Sequence, residues 1–193
     1  MLVEQQVELV NELEPDLINV ANDQHGNHVV QQAIVLVPRE HLDNIMAGFK
    51  GHVCELASHQ YGCRVVQRVL EHGSEDDKAA MLLELHNGSQ KLLTDMYGNY
   101  VIQHVLEKGP PEARRKIISV VTPLLLALSR HKNASNVVEK CIALGTPQEQ
   151  RAIRDQLITK GDDANSPLFQ LMKDQFGNYV IRKCCPVCRD VLC

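Results

Sequence analysis

Asn27, His28 and Gln31 stand together in the segment His25-Gly26-Asn27-His28-Val29-Val30-Gln31, and the same three places recur four more times. They return as Cys63, Arg64 and Gln67, as Asn99, Tyr100 and Gln103, as Ser135, Asn136 and Glu139, and as Asn178, Tyr179 and Arg182. The first and third places hold amide, thiol, hydroxyl, carboxylate and guanidinium groups, which can satisfy donor and acceptor edges of a partner. The middle place is flat or planar in every copy. Rings and guanidinium planes stack on exposed nucleobases, at about 1–3 kcal/mol per base. The chemistry these triplets suit is therefore recognition of unpaired bases. One residue beyond each third place stand Gln32, Arg68, His104, Lys140 and Lys183, a polar to cationic stripe along the same edge.

No bond-making chemistry competes with this reading. The nine histidines are dispersed, and several, such as His28 and His104, belong to the repeating grid. No nucleophile, base and orienting group stand together, and no Gly-rich phosphate loop is present, so no enzyme is expected. Asp76-Asp77 and Asp162-Asp163 read as solvated loop charges. Cys63 is accounted for as a member of a triplet rather than a nucleophile. The seven cysteines are an odd set, and Cys54, Cys63 and Cys141 lie far apart, which fits reduced thiols better than a disulfide framework. Cys184, Cys185, Cys188 and Cys193 crowd the end of the chain; Cys185-Pro186-Val187-Cys188 is half of a zinc site without a second half, so no metal and no cofactor is expected.

The elements that must position the triplets follow from their spacing. With Asn27, Cys63, Asn99, Ser135 and Asn178 as equivalent anchors, the intervals are 36, 36, 36 and 43 residues. The extra length of the last interval matches Gly161 to Pro167, read as a loop insertion. Seven residues before the anchors stand Val20, Leu56, Leu92, Leu128 and Leu171, and two after them Val29, Val65, Val101, Val137 and Val180. Apolar residues recur at helical spacing, with turns expected at Gly48, Gly73, Gly88, Gly109-Pro110-Pro111 and Gly145-Thr146-Pro147. Each unit is thus about three short helices, preceded by a further helix in Leu2 to Leu13. One such unit cannot bury its own apolar face, so the units are expected to stack into an all-α solenoid spanning residues 1–193. At about 100° per residue, Asn27, His28 and Gln31 share one arc of their helix, expected to face away from the core, with Val29, Val30 and Ala33 opposite.

Composition excludes other classes. Twenty-four acids against 20 bases give a net charge of −4, so an anionic partner must meet a local basic surface rather than a globally cationic one. No apolar run approaches the roughly 20 residues of a membrane span, and the first 25 residues carry acids where a signal peptide carries bases. A cytoplasmic protein without a membrane partner is expected.

Taken together, the five motifs, including Gly98-Asn99-Tyr100-Val101-Ile102-Gln103, Gly62-Cys63-Arg64-Val65-Val66-Gln67 and Ser135-Asn136-Val137-Val138-Glu139-Lys140, resemble the Pumilio (PUF) family of RNA-binding proteins, over roughly residues 17 to 185. The resemblance implies a right-handed α-solenoid of three-helix repeats that reads one base per repeat. It implies that Asn27 with Gln31 reads uracil, Cys63 with Gln67 adenine, Asn99 with Gln103 uracil and Ser135 with Glu139 guanine. The family binds RNA antiparallel, so the implied core is 5′-GUAU-3′. The last repeat departs from the family, with Arg182 where Gln is usual, which puts a preceding uracil in doubt. The motif order resembles the C-terminal five of eight family repeats, followed by a divergent or truncated cap at residues 186–193. The implied work is post-transcriptional control through 3′ untranslated regions of messenger RNA, with protein co-repressors on the outer face. The alternative from the same architecture is a protein-binding α-solenoid, which would need no matched three-place code.

Overall fold

The computed structural model describes residues 3–158 and 166–184. Its α-helices are α1 (Val3–Leu13), α2 (Leu17–Asn22), α3 (Gly26–Leu36), α4 (Asp43–Phe49), α5 (Val53–Ala57), α6 (Gly62–His72), α7 (Glu75–Asn87), α8 (Ser89–Thr94), α9 (Gly98–Lys108), α10 (Pro111–Val121), α11 (Leu125–Ser129), α12 (Ala134–Leu144), α13 (Pro147–Ile158), α14 (Pro167–Lys173) and α15 (Gly177–Cys184). No β-strand occurs among the described residues. No described helix is long and apolar enough to cross a membrane.

Two compact units are formed, Met1–Gly88 and Ser89–Cys193. In the first, α3 packs against α6, α2 against α3, and α5 against both α6 and α7. Its core is built on Leu42, Ile45, Phe49, Leu56, Val65 and Val69, all nearly inaccessible to solvent. In the second, α9, α12 and α15 pack in succession, backed by α8, α11 and α14, with α10 against α9. Its core centres on Leu92, Leu106, Ile118, Val137 and Ile142. Burying each large aliphatic side chain is worth about 1.5–3 kcal/mol, which is what holds helices as short as five residues that would not persist alone. Helices α3, α6, α9, α12 and α15 each begin one residue before an anchor and carry the five triplets.

Several local expectations change. Gly48 lies inside α4 rather than in a turn. Asp76 and Asp77 form the first turn of α7, and Asp77 is no solvated loop charge. Its side chain is only 10% exposed and takes two bonds from the Arg39 guanidinium, at 2.6 and 2.8 Å, while closing a capping box with Ser74. Burial pushes the Asp77 carboxyl upward, but the bonds from Arg39 and Ser74 outweigh it and hold the group below its ordinary range. Ser166 and Pro167, placed in the loop insertion by spacing, start α14, with the Ser166 hydroxyl accepting from the Phe169 N–H at 3.2 Å. The rest of that insertion, residues 161–165 with Asp162 and Asp163, lies outside the described residues, as do the expected cap at 186–193 and Cys185, Cys188 and Cys193. Val29 is 41% exposed although Val65, Val101, Val137 and Val180 are fully buried; among the described residues no triplet-bearing helix stands ahead of α3 to cover it.

Candidate nucleic-acid interface

Each triplet-bearing helix starts from a turn whose polar groups are closed by one side chain. Four residues before the anchor stand Asp23, His59, Asp95, His131 and Asp174. The Asp23 carboxylate accepts from the N–H groups of His25 and Gly26 at 2.8 and 2.7 Å. Asp95 does the same for Tyr97 and Gly98 at 2.9 and 2.7 Å, and Asp174 for Phe176 and Gly177 at 2.9 Å each. In the other two copies an imidazole replaces the carboxylate. His59 Nδ1 accepts from Tyr61 and Gly62 at 3.3 and 3.4 Å, and His131 Nδ1 from Asn133 and Ala134 at 3.2 and 3.3 Å. The backbone N–H bonds of Gly26 and Gly177 hold the Asp23 and Asp174 carboxyls below their ordinary range. The turn is tight: a Cβ on Gly98 would lie 2.8 Å from the Leu92 side chain and 3.1 Å from its backbone. These five acceptors are absent from the expected site. Their signal was an aspartate or histidine four residues before each anchor, visible once the repeats are aligned.

The first-place side chains do not face away from the core as the polar arc implied. Asn27, Cys63, Asn99 and Ser135 are buried, with 2–4% exposure, and Asn178 is half-buried. The amide nitrogen of Asn27 donates to the carbonyls of Asp23 and Gln24 at 2.8 and 2.9 Å; that of Asn99 to Asp95 and Met96 at 2.9 and 2.8 Å; that of Asn178 to Asp174 and Gln175 at 2.9 and 3.0 Å. The Cys63 thiol donates to the Gln60 carbonyl at 3.5 Å and the Ser135 hydroxyl to the Lys132 carbonyl at 3.4 Å. A buried polar side chain must find partners, and the turn's carbonyls supply them.

The third place sits one helical turn on, half-buried in Gln31, Gln67, Gln103 and Glu139 and exposed in Arg182. Gln31 Nε2 donates to Asn27 Oδ1 at 2.8 Å and Gln103 Nε2 to Asn99 Oδ1 at 2.9 Å. Each such glutamine then has one acceptor oxygen and one N–H left for a partner. Glu139 in the same place has acceptors only, and Arg182 donors only. The middle residues stand proud: Tyr100 and Tyr179 are 55% and 53% exposed, and His28, Arg64 and Asn136 are exposed too. The Arg182 guanidinium lies 5.8 Å from the Tyr179 ring centre, within cation–π range. Each expected triplet is thus brought together on its own helix, with the middle residue outermost.

The cationic stripe is partly neutralised. Arg68 pairs with Glu71 at 2.7 Å, and Lys140 reaches across to Glu107, whose carboxyl it holds below the ordinary range through that bond. In the second unit a cleft of about 330 Å³ is lined by Gln103, Glu107, Asn136, Glu139, Lys140 and Lys183, joining two third-place residues to two lysines. That volume lies at the lower end of ordinary ligand sites. Among the described residues no cluster of His, Cys, Asp or Glu could hold a metal ion.

Comparison with known proteins places this geometry. The family profile described as a Pumilio-family RNA binding repeat matches residues 17–47, 52–86, 91–122, 125–158 and 168–191. A Pumilio domain-containing protein of Schizosaccharomyces pombe is 34% identical over 175 residues, covering 90% of this chain and 25% of its own. Fem-3 mRNA-binding factor 2 of Caenorhabditis elegans is 32% identical over 201 residues, covering 91% and 32%. Among solved structures, the Puf3 RNA binding domain bound to a Cox17 RNA 3′ UTR recognition sequence superposes with a TM-score of 0.89 at 39% identity, over 97% of this chain and 58% of that one. PUF-8 in complex with PBE-RNA gives 0.87 at 33%, over 95% and 54%. The fold is the all-α repeat class of these structures, and the chain spans a third or less of the curated relatives' length.

Proposed function

Since the chain belongs to the Pumilio family of RNA-binding repeats, we propose that it binds single-stranded RNA in a sequence-specific way, one base to each triplet, with 5′-GUAU-3′ as its core. The observation that carries the reading is the contrast in hydrogen-bonding capacity at the third place. Gln31 and Gln103, each fixed by its asparagine, offer one acceptor and one donor, which suits the N3–H and a neighbouring carbonyl of uracil. Glu139 offers only acceptors, which suits the N1–H and N2–H donors of guanine. The first place adds a size argument. The larger Asn27 and Asn99 leave room beside the third place for a small pyrimidine, whereas the smaller Cys63 and Ser135 leave room for a purine, so Cys63 with Gln67 takes adenine and Ser135 with Glu139 takes guanine.

His28, Arg64, Tyr100, Asn136 and Tyr179 supply the planes between which bases stack. Arg182 with Asn178 presents donors to the base preceding the guanine, and that letter is not assigned to uracil. Residues 1–193 act as one repeat array on messenger RNA 3′ untranslated regions in the cytoplasm, with the outer face left for protein co-repressors. The relatives matched above, an mRNA-binding factor and domains bound to 3′ UTR sequences, support this reading.

The test is fluorescence anisotropy with labelled 5′-UGUAUAUA-3′, beside a copy with the GU changed to AC and a DNA copy. Tight binding to the first alone is expected. Equal binding to both RNAs would refute the code, and binding to none would mean that further repeats are required or that the surface serves a protein partner.

A further inference from the structure

Nothing in the base-reading scheme uses the residue four places before each anchor, yet it touches every part of the turn that holds the reader. At the N-cap of α3, α6, α9 and α12 no side chain caps the helix. The first N–H groups of an α-helix need partners, and here Asp23, His59, Asp95 and His131 provide one from outside the helix, as Asp174 does for α15. The main-chain carbonyl of the same residue accepts the backbone N–H of the reading residue, at 3.2 Å from Asn27, 3.1 Å from Cys63, 3.3 Å from Asn99, 3.0 Å from Ser135 and 3.2 Å from Asn178. Where the reader is asparagine, that carbonyl also takes its amide. A single residue therefore ties the helix start to the turn on which the reading side chain rests, through its own carbonyl where the reader is asparagine and beside the Gln60 or Lys132 carbonyl where it is Cys63 or Ser135.

The type of acceptor varies together with the reader. Carboxylate stands before asparagine in three repeats, imidazole before cysteine or serine in two. The carboxylate bonds are short, 2.7–2.9 Å, and their turn carbonyls hold an amide by two bonds. The imidazole bonds are 3.2–3.4 Å, and their turns hold a small reader, a thiol or a hydroxyl, on the carbonyl of Gln60 or Lys132.

We propose that Asp23, His59, Asp95, His131 and Asp174 are positioning residues for base selection: each fixes, through its turn, where the first-place side chain meets its base. The inference rests on the base assignments proposed above. Its consequence is local. Removing one acceptor loosens the reader of that repeat and leaves the other letters in place, because the bonds of Asp23, His59, Asp95 and His131 to the turn lie within six residues; Asp174 alone takes a further bond from Arg130, at 3.2 Å.

The experiment compares His59→Phe, which keeps a ring but has no acceptor, with His59→Asp, which restores the arrangement of the carboxylate repeats. Anisotropy reads the affinity ratio for adenine over cytosine at the letter of Cys63 and Gln67, and for guanine over adenine at the letter of Ser135 and Glu139. Circular dichroism checks folding. The expected result is a loss of about tenfold in the adenine ratio for His59→Phe, recovery of most of it in His59→Asp, and a guanine ratio within twofold of the parent in both. An adenine ratio that survives in His59→Phe, or both ratios falling together, overturns the inference while leaving the code intact. A parent chain that discriminates at neither letter overturns the code and the inference with it. If His59→Phe does not fold, Asp95→Leu against Asp95→Asn, read at the uracil of Asn99 and Gln103, decides the question by the same criteria.

Discussion

The double substitution Ser135→Asn with Glu139→Gln should turn a guanine-reading repeat into a uracil-reading one, and the structure sets how far. Ser135 is buried above the Lys132 carbonyl, 3.4 Å from its hydroxyl. The equivalent Asn99 amide meets the Asp95 and Met96 carbonyls at 2.9 and 2.8 Å, so an asparagine at 135 finds its counterparts in the His131 and Lys132 carbonyls. A glutamine at 139 can then donate to that asparagine as Gln103 does at 2.9 Å. Against guanine, the new glutamine turns one of its two remaining groups, a donor, toward a donor. A mispaired base edge costs about 1–3 kcal/mol, or roughly 5- to 150-fold. The uracil gain is of similar size, so the guanine-to-uracil ratio should fall by at least about 25-fold in all. Loss of the Glu139 charge also raises affinity for every RNA, so the ratio rather than either constant is the readout. Anisotropy at fixed salt, with RNAs differing only at that letter, measures it. Equal weakening on both RNAs, or an unchanged ratio, would refute the assignment of base reading to this pair.

Three further outcomes are expected. Tyr100→Ala should cost about 1–3 kcal/mol of RNA affinity whatever base lies against it, because stacking has no hydrogen-bond code; an effect confined to one base would contradict this. Arg39→Met should destabilise the fold by about 1–2 kcal/mol at pH 7 in urea melts, since it leaves the largely buried Asp77 without its main partner. The Asp77 carboxyl is held below its ordinary 3.8 in the fold, so this stabilisation is complete above that value and is lost as pH falls through the lower folded value. The gap between parent and variant should therefore close in acid. Burial pushes the Cys141 thiol up to about 12, with Glu149 adding to it, so iodoacetamide at pH 8 should label Cys141 only after unfolding, as mass spectrometry would report.

Much of this protein was legible without coordinates. The 36-residue interval gave the repeats, and helix-period apolar residues gave their helices, since both are properties of the chain read in order. The triplets followed from the same register. Other features were out of reach for a definite reason. Helical-wheel geometry put Asn27, Asn99 and Ser135 on an outward arc, but their burial depends on a turn that folds back and offers its carbonyls. The same wheel put Val29 inside, and its exposure depends on which helix lies against that face of α3, where among the described residues no triplet-bearing helix stands ahead of it. Asp77 looked like a loop charge because its partner, Arg39, lies 38 residues away.

The sequence by itself determined the period, the all-α class and the residue types that can address a base, because those are written in composition and spacing. Only the tertiary structure decided which member of each triplet is buried, which stands out to stack, and which unexpected acceptor closes the turn beneath it. Those depend on where backbone N–H and C=O groups end up in space, and a linear pattern of side chains carries no record of that.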